Sequence, residues 1–183
     1  MTLEGRRVRL EPLERRHEEP LWELAQDGRA FDYFPARLNE GEVFRAWLER
    51  VHRDWLPFAT LLDGQIVGST SYGNIREHDR VVEIGNTWVV PAAWGSGANT
   101  EAKYLMLRHA IEDELFRRVE FKTEAANARS CAALAAFAEF EGVHRKHMVV
   151  RGGERRDSAW YAVIDDDWPQ AKAGLERRLG WRE

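Results

Sequence analysis

The sequence predicts one mixed α/β (α+β) domain, a mostly antiparallel central sheet with helices on both faces. Short apolar runs alternate along the chain with runs whose apolar residues recur every three to four positions. Asp63-Gly64 and Gly152-Gly153 join pairs of strand-like runs, as tight hairpins require. Residues 81–125 read as strand, helix and strand, a crossover that delivers a parallel pair within the sheet. The chain has 183 residues, enough for one domain with a substantial core. It contains no internal repeat, low-complexity tract or Pro/Gly-rich linker, so residues 1–183 are expected to form a single unit.

Each element follows in order. VRLEPL (8–13) is the first expected strand, and HEEPLWELAQ and EGEVFRAWLERVHRDW are amphipathic helices that cover one face of the sheet. PFATLL (57–62), QIVGSTSYGNI (65–75) and VVEIGNTWVV (81–90) form an antiparallel meander. The helix opened by WGSGANTEAK (94–103) places Tyr104, Leu107, Ile111 and Leu115 on one stripe, and RVEFKTEA (118–125) returns as a strand. ARSCAALAAFAEF (128–140) reads as a small-residue helix, HRKHMVV and SAWYAVI as a closing hairpin, and WPQAKAGLERRLG as a last helix with Pro in its first turn.

Composition narrows the function. Apolar residues make up 44% and charged residues 32%, and the net charge is −4 with both signs interspersed. That leaves no basic footprint for nucleic acid and no polybasic membrane-proximal segment. The N-terminus is charged from Glu4 and has no apolar stretch of signal type, so a cytoplasmic protein without a membrane partner is expected. Cys131 is the single cysteine, which excludes an internal disulfide and a multi-cysteine metal site; within SCAALAAF it reads as small core filler. His144 and His147, three apart on an expected strand, face opposite sides and predict no metal site. His52, Trp55 and Trp47 read as core or groove lining.

The glycine turn at Gly95 and Gly97 is the clearest candidate for chemistry. A strand ending in such a turn and opening a helix gathers unpaired backbone N–H groups at the positive end of the helix dipole, a ready phosphate site. A tight turn with Ser96 or Asn99 as helix N-cap accounts for the same residues. The P-loop pattern is absent because no Lys follows the second glycine, and the dinucleotide pattern fails at Thr100.

VVPAAWGSGANTEAK resembles the acyl-CoA-binding segment of the GNAT acetyltransferase superfamily, a strand, V-x-P, then Gln/Arg-x-x-Gly-x-Gly/Ala opening a helix. Here Val89-x-Pro91 leads into Trp94-x-x-Gly97-x-Asn99, with Trp94 and Asn99 departing from the pattern. Downstream, Asn127 and Ser130 in EFKTEAANARSCAAL resemble the N-x-x-S segment of the same superfamily. EFEGVHRKHMVVRGGERRDSAWYAVIDDDWP and LEGRRVRLEPL look like its ribosomal-protein-alanine N-acetyltransferase-like branch.

The resemblance implies a GNAT-like fold, acetyl-CoA as cosubstrate, no metal, and acetyl transfer to a primary amine on a protein N-terminus or a small molecule. A non-catalytic acyl-CoA-binding or sensing module is the alternative, and a homodimer through the C-terminal region is compatible with either. Backbone amides of Gly95, Ser96, Gly97, Ala98, Asn99 and Thr100 after Trp94 are expected at the pyrophosphate, with the Glu101 carboxylate pointing away. Main chain of Trp88, Val89 and Val90 pairs with the pantetheine arm where two strands splay, and Asn127 and Ser130 contact the cofactor unless they only cap a helix. Glu83 is the candidate general base, or else a solvent-facing strand residue, and the Val89 N–H is the candidate oxyanion donor. Leu134 stands where many relatives carry a Tyr proton donor, which leaves Tyr161 and Ser130 as substitutes.

Overall fold

The computed structural model describes residues 1–181. Its strands are β1 (Leu3–Glu4), β2 (Val8–Pro12), β3 (Trp55–Leu62), β4 (Gln65–Arg76), β5 (Val81–Val89), β6 (Arg118–Glu124), β7 (Glu139–Val150) and β8 (Glu154–Ile164). The helices are α1 (Arg15–Ala25), α2 (Gly41–Asp54), α3 (Ala98–Arg108), α4 (Ala128–Ala135) and α5 (Trp168–Arg178). One sheet contains all eight strands in the order β1-β2-β3-β4-β5-β6-β8-β7, antiparallel throughout except for the β5–β6 pair. The expected mixed α/β architecture is the one observed.

Adjacent residues of β5 show that helices cover both faces, because neighbouring strand side chains point oppositely. Trp88 packs edge-on against Phe31 and Trp47 of α2, whereas Thr87 accepts a hydrogen bond from Lys103 of α3. On the α1/α2 side Trp22, Phe44 and Trp47 extend this aromatic cluster. On the α3/α5 side the Tyr72 hydroxyl donates to the Met106 carbonyl and Tyr104 packs at a tilt against Trp168.

Two irregularities shape the middle of the sheet. Between Ser71↔Gly85 and Ser69↔Trp88 the register gains one residue on β5, and Asn86 takes a left-handed φ of 49°. Such a bulge bends the strand that carries it. The parallel pairing of β5 with β6 then covers only Val81–Glu83 against Arg118–Glu120, so the two strands part beyond those residues.

Several expectations are corrected. α4 ends at Ala135, not at residue 140, because Glu139 and Phe140 join the β8 ladder opposite Ala162 and Tyr161. The α3 stripe does not reach Leu115. After Arg108 the helix loosens into a π turn (His109–Asp113), and Leu115 has φ 57° and is exposed. Just beyond it, Arg80 donates to the carbonyls of Glu114 and Leu115, groups that a helix end leaves without an intrahelical partner. His144 and His147 do not face opposite sides. The β7 ladder slips between His144↔Ser158 and Met148↔Arg156, with Lys146 at φ 51°, and both rings pack on Trp160. No group of three or more metal-ligating side chains exists among the described residues, and none of their helices is long and apolar enough to cross a membrane.

Candidate active site

The parting of β5 from β6 opens a cavity of about 880 Å³ that runs from Glu83 to the glycine turn and the start of α4. The Val90 N–H donates to the Val67 carbonyl of β4 at 2.8 Å. Strand main chain alternates, so the N–H and carbonyl of Val89 face the gap instead. That carbonyl accepts the indole N–H of Trp94 at 2.8 Å, and the Arg129 guanidinium lies 3.6 Å from the centre of the same indole. Val89, Trp94 and Arg129 therefore line the opening from three elements.

At the turn, Gly95 has φ 76° and Gly97, the α3 N-cap, has φ 87°, a conformation that side-chain-bearing residues rarely adopt. Ser96 bends inward: its hydroxyl donates to the Ala93 carbonyl and accepts the Ala98 N–H at 3.2 Å. The N–H groups of Gly97, Asn99 and Thr100 have no acceptor among the described residues, and all three residues line the cavity. Neither Ser96 nor Val90 does. Arg129 and Arg178 stand at the same end of the cavity. Glu101, buried in the first turn of α3, points away as expected, because its Oε1 accepts the N–H groups of Arg6 and Arg7 at 2.5 and 3.0 Å. Free amides, two nearby guanidiniums and an averted carboxylate suit a pyrophosphate, so these residues fit CoA.

Glu83 is 2% exposed, so it is not a solvent-facing strand residue. Its Oε2 accepts from Asn74 at 2.5 Å and from Lys122 at 2.8 Å. Lys122 in turn lies over the Trp160 ring. A Cβ at Gly85 would come within 2.9 Å of Glu83 Oε1, so the absent side chain is what leaves that oxygen open toward the cavity. Trp55 rests on Gly73 and Gly85 and shares the wall; Trp47 is core, and His52 is exposed on α2.

Asn127 caps α4 by accepting the Ser130 N–H at 3.1 Å, and both residues line the cavity. Leu134 lines it too. Tyr161 does not. It is buried on the α4 side, 5.3 Å from Phe140, and the structure does not bring it to Glu83. Trp88 contributes main chain at the cavity, while its ring belongs to the aromatic core.

Sequence reasoning missed Lys103. It is 4% exposed, lines the cavity, and donates to Thr70 and Thr87 at 3.2 and 2.7 Å; burial lowers its pKa to about 7. The available signal was its place four residues before Leu107, a charge inside an apolar helical period.

The sequence matches the acetyltransferase (GNAT) domain family over residues 7–137. The chain belongs to the GNAT acetyltransferase family. Solved GNAT-type structures superpose on it closely. A T. thermophilus protein assigned as an acetyltransferase is 37% identical, aligns over 97% of this chain and 96% of its own, and gives a TM-score of 0.88. A GCN5-related N-acetyltransferase from Brucella melitensis is 30% identical over 97% of this chain and 84% of its own, with the same TM-score. The ribosomal L7/L12 α-N-protein acetyltransferase RimL, solved with coenzyme A, is 16% identical over 91% and 99%, with a TM-score of 0.76, and shares the fold. Among proteins with curated functions, none matches this GNAT sequence.

Proposed function

We propose that this GNAT protein transfers an acetyl group from acetyl-CoA to a primary amine. The parting of β5 from β6 carries the reading, because it puts the Val89 N–H, the open amides of Gly97, Asn99 and Thr100, and Glu83 on one cavity. CoA supplies an acyl thioester when bound. Val89 would hold the pantetheine arm and offer its N–H to the acyl oxygen. Gly97, Asn99 and Thr100 would hold the pyrophosphate, helped by Arg129 and Arg178, with Asn127 and Ser130 alongside.

Acetylation needs the amine in its neutral form. Glu83 Oε1 is the acceptor for that proton, while Asn74 and Lys122 fix Oε2 and so fix the carboxylate plane. Leu134 supplies no proton to the departing thiolate. Lys103, which burial poises near neutrality beside Thr87, is better placed for that task than Tyr161. The acceptor falls into the class of a protein N-terminus or a small amine.

The test is thiol release from acetyl-CoA against a panel of peptides and small amines. Amine-dependent release supports the enzyme. Tight CoA binding without release across the panel would favour the acyl-CoA-sensing alternative, for which Leu134 is the motivating residue.

A further inference from the structure

The wall of the cavity holds a buried positive charge that makes no ion pair among the described residues. Arg156, on β8 opposite Met148, lines the cavity yet is only 4% exposed. Its side chain forms no hydrogen bond or ion pair among the described residues, and its Nε is buried without a partner. Glu124 and Glu83 act on it through space without a salt bridge: each lies 2.8 Å from another cation, Arg151 and Lys122 respectively, although the buried Glu124 Oε2 itself has no hydrogen-bond partner among the described residues. Arg50 of α2, half-buried on the same cavity, has one polar contact, the Asn86 Oδ1 at 3.4 Å, and no ion pair among the described residues. Burial disfavours the charged form of both guanidiniums.

A buried charge without a direct ion pair is costly, and a folded chain ordinarily pairs it. Here the open side of Arg156 is the cavity. The −4 net charge of the whole chain would suit a cationic acceptor, but Arg156 puts a guanidinium without a salt bridge on the cavity wall. An Arg fork matches a carboxylate in shape as well as charge.

We propose that the acceptor is a primary amine that also bears a carboxylate, and that Arg156 is the seat of that carboxylate. This rests on the amine acetylation proposed above. A peptide with an acidic side chain at its N-terminus and an amino-acid-like small molecule present the same two groups.

The experiment compares matched acids and amides as acceptors: Glu-Ala-Ala amide against Gln-Ala-Ala amide for the peptide arm, and 4-aminobutyrate against its amide for the small-molecule arm. The acid of the preferred arm should show kcat/KM about 30-fold above its amide. Arg156→Met should bring that ratio close to one, chiefly through KM, and Arg156→Lys should retain part of it. Thermal stability of Arg156→Met should equal or exceed that of the parent, because the buried charge is gone, and CoA affinity should hold. Equal turnover of acids and amides, or an acid preference that survives Arg156→Met, overturns the inference while leaving the acetyltransferase reading intact. If no amine is acetylated, that reading fails, and calorimetry on the CoA-loaded protein decides the carboxylate seat. Acid-selective binding lost in Arg156→Met supports it, and absence of acid-selective binding overturns it.

Discussion

The indole N–H of Trp94 donates to the carbonyl of Val89 across the unpaired edge of β5. With Arg129 stacked on the outer face of the indole, the ring lies over the main chain that the pantetheine arm would have to pair with. The departure from the family's Gln/Arg position thus has a geometric consequence, a side chain that must release the strand edge before a ligand takes it.

Trp94→Phe should free the Val89 carbonyl and keep an aromatic surface for Arg129. One hydrogen bond is worth about 1 kcal/mol net, so CoA should bind up to about fivefold more tightly or associate faster. Stopped-flow fluorescence reads this directly, and an unchanged rate and affinity would show that the ring is already aside in solution.

Gly97→Val places a β-branched residue at φ 87° in the N-cap of α3, where the backbone must shift to relieve it. The open amides of Asn99 and Thr100 move with it. CoA affinity should fall at least about 30-fold if both amides are lost to the phosphate, while far-ultraviolet circular dichroism stays folded. Undiminished affinity would remove the turn from the binding site.

Glu83→Gln tests the proton acceptor. Loss of a general base costs about 10²- to 10⁴-fold in rate. The same change strands Lys122, whose ion pair is mostly buried, and should cost about 2 to 3 kcal/mol of stability in denaturant titrations. The double variant Glu83→Gln/Lys122→Met separates the effects: stability should recover and activity should not. Recovered activity would reduce Glu83 to a structural ion pair.

Lys103 makes stability depend on pH in a defined direction. Its pKa is lowered from 10.5 to about 7 in the folded chain, so between those values the unfolded chain binds a proton that the folded chain does not. Stability must therefore rise with pH across that window and be flat below it, by an amount on the order of 5 kcal/mol at full span. Lys103→Met should abolish the slope and be the more stable protein at pH 7, since Thr70 and Thr87 keep each other at 2.8 Å. If Lys103 supplies the thiolate proton, the stabilised variant is also the slower one. Denaturation at pH 7 and pH 9.5 with rates at both values checks the pair of outcomes.

Much of this fold was legible because its signals are local. Asp63-Gly64 and Gly152-Gly153 needed only turn chemistry, and the strands and helices around them needed only periodicity. α4 was overextended because Glu139 and Phe140 have ordinary helical surroundings in sequence, and only the β8 edge draws them into a ladder. The His144–His147 pair was placed on opposite faces for the same reason: strict alternation holds until a bulge intervenes, and this one depends on the partner strand.

The glycine turn is legible from local turn chemistry and Glu83, Asn127 and Ser130 from the resemblance to the GNAT superfamily, and the structure gathers them on one cavity. Tyr161 could not be judged that way, because its face on β8 follows from a register seen only in the sheet. Lys103, Lys122 and Arg156 carry no motif; each matters through what lies across from it. The chain's order of elements, its hairpins and its phosphate-ready turn are properties of neighbouring residues, so they can be read along the line. Whether a charge ends up paired, buried or facing a ligand depends on long-range packing, where a one-residue bulge at Asn86 parts two strands and decides what the site can hold.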